Sequence, residues 1–269
     1  MSSGLNSEEI LSRLDFERQT VPDADVVLER TQNVVRGIGK LGNRNAIVYS
    51  NFSLPEAEKM IESEIDYFGK RQRSFEWKVY SHDEPADLLE RLRERGFKIG
   101  AEEALMILDL WETPLALLAP LPDGVTVRPV EDDRDIEHFL ELETEIWGAS
   151  FMTREFLRFN QSDPLQRDRA FIAYLNEKPA GMARVTASPQ SQFAGLWGGS
   201  VLNQFRGRGI YRALLSARIG RARELELTRY LRVDALPTSR PILEKYGFSR
   251  VGSTWPAVWP GADKVKGGK

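Results

Sequence analysis

Apolar residues along this chain fall into two rhythms, one of period two and one near three and a half, and the rhythms change over at identifiable places. Val125–Pro129 alternates as a short strand does. Asp132–Gly148 sets Ile136, Phe139, Leu140, Ile146 and Trp147 at helical spacing behind an acidic first turn, which predicts a helix. A second helical stretch runs through Thr153–Phe159. Ala170–Leu175 and Ala180–Ala187 flank Asn176-Glu177-Lys178 and predict a hairpin. Phe193–Leu202 reads as a strand and Gly209–Leu225 as an amphipathic helix. That helix carries Tyr211, Leu215, Ile219, Ala222 and Leu225 on one face, with Arg212, Arg218, Arg221 and Arg223 mostly outside it. Tyr230–Ala235, Arg240–Tyr246 and Phe248–Val258 predict a strand, a short helix and one or two closing strands. Antiparallel strands come first and a crossover later, so the expected class is a mixed α/β sheet.

Trp111–Gly124 carries Pro114, Pro120 and Pro122, with Pro129 just beyond. Proline at this density stops helices and interrupts ladders, which marks a connector and divides the chain into residues 1–118 and 119–269. The first part reads as a reduced copy of the second. Gln32–Gly37 and Ala46–Ser50 predict strands, Pro55–Phe68 a helix, Phe75–Tyr80 a strand, Pro85–Arg95 a helix, and Leu105–Leu110 a strand after Gly96-Phe97. Arg93-Glu94-Arg95-Gly96-Phe97 parallels Glu244-Lys245-Tyr246-Gly247-Phe248, although a glycine closing a helix before a strand is common in itself.

Composition narrows the chemistry. A formal charge of −3 gives no general reason to expect nucleic acid as a partner. Basic residues cluster at Lys70–Arg73, read as a solvated loop, and again from Arg206 to Arg223; the tail Lys264–Lys269 reads as a frayed terminus. The chain has no cysteine, which excludes disulfides, thiolate nucleophiles and cysteine–metal sites. With His82 and His138 as the sole histidines, no histidine-rich metal site is expected and a Ser-His-Asp triad is poorly supplied. Met1–Glu9 does not read as a secretory signal, and no apolar run suffices for a membrane span, so the expected location is the cytoplasm, without a membrane partner.

Gln204-Phe205-Arg206-Gly207-Arg208-Gly209 lies between a predicted strand and a predicted helix. Two glycines one residue apart permit turns that a side chain blocks. Amide N–H groups at the helix start then converge, and a phosphate suits them because donors and helix dipole both favour anions. Arg206, Arg208 and Arg212 add charge nearby, and Gly198-Gly199 upstream predicts a bulge or a close backbone approach. A dinucleotide loop would need a third glycine where Arg212 stands, and an NTPase loop would end in Gly-Lys-Ser/Thr. The bland alternative is a tight turn with solvated arginines.

Val201-Leu202-Asn203-Gln204-Phe205-Arg206-Gly207-Arg208-Gly209-Ile210-Tyr211 resembles the acyl-CoA-binding motif of the GNAT acyltransferase superfamily. Ser239-Arg240-Pro241-Ile242-Leu243-Glu244-Lys245-Tyr246-Gly247-Phe248 resembles that family's closing helix and turn, and the resemblance covers about Val125–Trp259. It implies a mostly antiparallel twisted sheet flanked by helices, with a degenerate GNAT-like domain over residues 1–118 and the catalytic domain over 119–269. It also implies an N-acetyltransferase that uses acetyl-CoA as cosubstrate, without metal, on an amine acceptor. By the resemblance, Gln204, Arg206, Gly207, Arg208, Gly209, Ile210 and Tyr211 hold the pyrophosphate, and Ser200, Val201 and Leu202 pair with the pantetheine arm as an added strand.

Catalytic roles are less determined by the resemblance. Many members place a tyrosine four residues before the closing glycine, and here that position is Leu243. Tyr246 is the nearby candidate acid, set against a packing role. Glu143, on the apolar face of its helix, and Asp234, on the strand beside the expected cleft, are candidate bases. Trp147, Phe151, Trp197, Trp255 and Trp259 offer either an aromatic acceptor pocket or plain core packing. Ser50-Asn51-Phe52-Ser53-Leu54-Pro55 takes the place of the glycine loop in the first part without a glycine. That part is expected to shape the acceptor site, stabilise the other half or mediate homodimer contacts. A non-catalytic acyl-CoA sensor and a structural protein remain the alternative functions.

Overall fold

The computed structural model describes residues 6–41 and 44–261; the tail Lys264–Lys269 lies outside the described residues. The chain forms two compact units that interleave in sequence. One holds the described residues up to Met106 together with Asp234–Pro241 and those from Arg250 onward; the other holds Ile107–Val233 and Ile242–Ser249. The proline-rich connector therefore folds with the second unit, and the described residues from Arg250 onward return to the first.

The first unit opens with α1 (Ser7–Thr20), a helix the polar character of its sequence conceals. Asn6 caps it by accepting from the Glu9 amide, and Ile10 and Leu14, one turn apart, are buried. Strands β1 (Val26–Arg30), β2 (Val34–Gly39) and β3 (Ala46–Ser50) form an antiparallel meander. Helix α2 (Ala57–Gly69) then crosses to β4 (Phe75–Tyr80), which runs parallel to β3 with Ala46 opposite Glu76 and Ile47 opposite Trp77. A parallel neighbour requires such a crossover, because no tight turn can join two strands pointing the same way. Helix α3 (Leu88–Glu94), the short β5 (Lys98–Ile99) and β6 (Glu103–Asp109) follow. Phe68, Phe75, Trp77, Leu92 and Phe97 are fully buried at the centre of this unit, with Phe68 stacked on Phe75 at 4.2 Å between ring centroids.

The second unit repeats the scheme at greater length. Strand β7 (Val125–Pro129) leads to α4 (Asp133–Trp147), which starts where the Asp132 side chain accepts from the Asp135 amide and stops at left-handed Gly148 (φ 79°). After α5 (Arg154–Gln161) come β8 (Asp168–Leu175), β9 (Lys178–Ala187) and β10 (Phe193–Val201), so that β7, β8, β9 and β10 form an antiparallel meander. Helix α6 (Ile210–Arg223) crosses to β11 (Tyr230–Ala235), which lies parallel to β10. Helix α7 (Arg240–Lys245) precedes β12 (Ser249–Trp259), one continuous strand where one or two were expected. From Thr254 to Trp259 it pairs antiparallel with β4, within the first unit. Both units thus share the order meander, crossover helix, parallel strand, short helix.

One expectation about α6 is corrected. Helical spacing puts Arg218 and Arg221 mostly outside the apolar face, yet Arg218 is 2% exposed and Arg221 8%. Long arginine stems bury readily when the head finds room or a partner. Arg221 reaches the carbonyls of Leu165 and Gln166 at 2.9 and 3.1 Å and pairs with Glu224. Arg218 uses the space that Gly199 leaves by lacking a side chain.

Candidate functional site

The turn between β10 and α6 is built by two left-handed residues. Gly207 and Gly209 both sit at φ 76°, where an L side chain is strained by about 1–2 kcal/mol. At Gly209 the space is also taken: a Cβ there would stand 2.7 Å from Pro122 Cγ, because the connector lies over the turn. Arg212 holds that connector in place by donating to the carbonyls of Ala119 and Pro120 at 2.8 and 2.6 Å. No side chain caps α6. Among the described residues the first-turn amides of Ile210, Tyr211 and Arg212 have no acceptor, and the first helical bond runs from the Ala213 amide to the Gly209 carbonyl at 3.0 Å. Gln204, Arg206 and Arg208 flank this turn and are exposed.

A second feature adjoins it. The parallel register between β10 and β11 covers Phe193–Gly195 against Tyr230–Arg232 and goes no further, while β10 runs on to Val201. Among the described residues the far edge of β10 beyond Gly195 therefore has no strand partner. On its near edge β10 stays bound to β9, with Ser200 opposite Met182, Val201 opposite Gly181, and the Leu202 amide donating to the Ala180 carbonyl at 2.9 Å. Between Trp197 and Ser200 that register shifts at Gly198 (φ 57°) and Gly199, which is the bulge expected there. Val201, expected to serve an extended ligand, has its carbonyl engaged by Arg206 Nε at 3.2 Å.

Around the bulge the side chains take definite places. A Cβ on Gly198 would meet Trp147 at 3.2 Å, so the end of α4 lies against it. Trp147 and Phe151 are 39% and 68% exposed, and their rings lie 5.8 Å apart. Trp197 donates to Thr186 Oγ1 at 2.9 Å, while Trp255 and Trp259 lie on β12 in the first unit, Trp259 buried against Phe75. Tyr246 and Tyr211 are brought together: both are half-buried and stack at 6.4 Å. Leu243, at the position where the resemblance calls for a tyrosine, is 1% exposed and offers no hydroxyl.

Neither candidate base is a free carboxylate. Glu143 is buried, one turn before Trp147, and its Oε2 accepts from Ser150 Oγ at 2.6 Å and from the Met152 amide at 3.0 Å. It ties down the segment after α4. Asp234 belongs to the first unit and pairs with Lys78 Nζ at 3.1 Å; Lys78 also pairs with Glu103 at 2.7 Å. Burial opposes the lysine charge, but Asp234 and Glu103 outweigh it, so the ammonium holds its proton more firmly than a free lysine. Sequence reasoning missed Arg218, a buried cation beside the bulge; its signal was an arginine one turn after Leu214 and next to Ile219 on α6, downstream of Gly198-Gly199.

In the first unit the turn in the corresponding place, Ser50–Pro55, is capped by a carboxylate of the chain itself. Glu56 Oε2 accepts from Ser53 Oγ and N at 2.6 and 3.1 Å, so a carboxylate already occupies that helix start.

Residues 136–248 match the model of the acetyltransferase (GNAT) family, a stretch that lies in the second unit except for Asp234–Pro241. The match supports acyl transfer as the general chemistry. The fold extends the likeness over both units. A GCN5-related N-acetyltransferase from Kribbella flavida superposes with a TM-score of 0.69 at 15% identity, covering 97% of this chain and 98% of that one. A tandem GNAT protein from the clavulanic acid biosynthesis pathway gives 0.60 at 12% identity, with 94% of each chain covered. A GCN5-related N-acetyltransferase from Sphaerobacter thermophilus gives 0.58 at 16% identity, covering 87% of this chain and 84% of that one. At such identities the likeness is one of fold. No curated protein matches in sequence. Among the described residues no helix is long and apolar enough to cross a membrane.

Proposed function

We propose that this protein is an N-acyltransferase that binds acetyl-CoA along the second unit and passes the acyl group to an amine in a ternary complex. The observation that carries this reading is the uncapped start of α6 behind left-handed Gly207 and Gly209, beside a β10 edge that β11 leaves unpaired. The free amides suit a pyrophosphate, and the open strand edge suits an extended ligand carrying amides of its own, which is the form of pantetheine. Gln204 and Arg206–Tyr211 then surround the pyrophosphate, and Ser200, Val201 and Leu202 border the pantetheine arm.

The chemistry follows from these parts. A neutral amine attacks the thioester carbonyl carbon, the C–S bond breaks, the nitrogen loses its proton, and the thiolate gains one. With no cysteine in the chain, no thiol acyl-enzyme is available. A backbone N–H at the bulge polarises the carbonyl. Tyr246, partly open and stacked on Tyr211, is assigned the donation to the thiolate. Glu143 and Asp234 are bound elsewhere, so the amine enters already deprotonated rather than through a carboxylate base. The first unit, whose corresponding turn has no glycine and is capped by Glu56, is assigned no coenzyme.

The test is calorimetry of the full chain with acetyl-CoA, followed by turnover against amines, amino acids, polyamines and peptides with free thiol as the readout. No binding rejects the reading. Binding without turnover on any class supports the second reading, a non-catalytic acyl-CoA sensor, which the apolar Leu243 at the usual tyrosine position favours.

A further inference from the structure

Arg218 is 2% exposed, yet no carboxylate lies within ion-pair distance of it among the described residues. Its Nε donates to the Leu214 carbonyl at 3.2 Å, and its Nη2 is buried without any partner. An unpaired buried charge is among the most costly groups a protein can hold, and such groups ordinarily carry a partner. Burial pushes its pKa down from the usual arginine value, partly offset by Tyr211, but a guanidinium still keeps its charge at neutral pH.

Its position says what the charge is for. A Cβ on Gly199 would stand 3.0 Å from both Nη1 and Nη2, so the guanidinium fork lies against the bulge of β10. That is the stretch where the pairing to β9 shifts and the ladder to β11 has already ended. Tyr211, two turns earlier on the same helix, faces it with its ring centroid 6.0 Å from Cζ. The pyrophosphate of the proposed coenzyme is not the missing counter-ion. Arg218 lies eight residues after Ile210, about 12 Å along the axis from the helix start at ~1.5 Å per residue. A second anion is needed, at the other end of the gap.

We propose that Arg218 binds a carboxylate carried into the gap by a substrate, through the paired N–H groups of its fork. The proposal rests on the acyl-CoA reading of the same gap and deepens it. A guanidinium matches a carboxylate with two parallel hydrogen bonds, which a point-charge lysine cannot reproduce. The carboxylate comes either from the acyl group, as in a dicarboxylic acyl-CoA, or from the acceptor, as in an amino acid whose amine is acylated.

Both sources are tested with the full chain. In the first arm, calorimetry compares coenzyme A, acetyl-CoA, succinyl-CoA and the methyl ester of succinyl-CoA. In the second, turnover with acetyl-CoA compares amino acids with their carboxamides. In one arm the free carboxylate is expected to gain at least tenfold, in Kd or in KM, over its neutral analogue. Arg218→Met is expected to erase that difference while coenzyme A affinity stays within about threefold, and Arg218→Lys to restore only part of it. Coenzyme A binding with no carboxylate preference in either arm overturns the proposal and leaves the acyl-CoA reading standing. If neither coenzyme A nor any thioester binds, the underlying reading fails and the proposal with it. The comparison of neutral and charged ligands uses the wild-type chain, so it decides the matter even where the methionine variant does not fold.

Discussion

Replacing Gly207 or Gly209 with valine separates the cost of bending the chain from the loss of a ligand. Both positions have φ 76°, and a side chain in that region costs about 1–2 kcal/mol, more for a β-branched residue. At Gly207 nothing lies within 4 Å of an added Cβ, so strain is the whole structural penalty. At Gly209 the Cβ also runs into Pro122 at 2.7 Å, and overpacking adds about 1–3 kcal/mol. Urea denaturation should therefore show Gly207→Val destabilised by about 1–2 kcal/mol and Gly209→Val by roughly 2–5 kcal/mol. Binding should fall further than stability alone requires. A turn that relaxes away from the left-handed region re-aims the amides of Ile210 and Tyr211, and a hydrogen bond to a charged group is worth about 1.5–3 kcal/mol. Calorimetry with coenzyme A should then report a loss of about ten- to a hundredfold for Gly207→Val. Gly220 provides the control: it lies in α6 with nothing within 4 Å, and Gly220→Ala should gain up to about 1 kcal/mol with unchanged affinity. A Gly207→Val protein that loses the expected stability yet binds coenzyme A within twofold of wild type would refute the reasoning, because the turn would then be a turn and nothing more.

Glu143→Gln weakens two hydrogen bonds to a buried carboxylate and should cost about 1–3 kcal/mol in urea denaturation, loosening Ser150–Met152 in hydrogen exchange while coenzyme A affinity holds. Tyr246→Phe keeps the stack on Tyr211 and removes only the hydroxyl, so kcat should fall by about 10- to 100-fold with Kd for acetyl-CoA unchanged; full retention of kcat would leave proton transfer to water. Acid should weaken the first unit through Asp15. Burial opposes its ionisation, but His82 and Arg18 outweigh that, so the folded carboxyl titrates below its usual value. Its contribution is complete above the unfolded value, about pH 4, and is lost as the pH falls through the lower folded value. Denaturation midpoints should drop through that window, and the drop should be shallower in Asp15→Asn.

Local backbone requirements are written in the sequence itself. Gly207 and Gly209 declare a left-handed turn because few other residues tolerate one, and the alternation in Phe75–Tyr80 or Leu231–Ala235 declares a strand because successive side chains point to opposite faces of a sheet. The order of elements follows, and with it the mixed fold and its GNAT character. What stays hidden depends on neighbours distant in the chain. Helix α1 reads as polar because only one narrow stripe is buried, Ile10, Leu14 and Arg18, and its last member is an arginine. Nothing near β12 indicates that it pairs with β4, since strand pairing is chosen by the whole sheet. Glu143 has the look of a base until Ser150 and Met152 claim it, and Asp234 until Lys78 does. Arg218 reads as solvated because helical periodicity counts a charge as surface. Its burial depends on the missing side chain of Gly199, nineteen positions earlier, and a residue's own segment carries no record of the space another segment leaves for it.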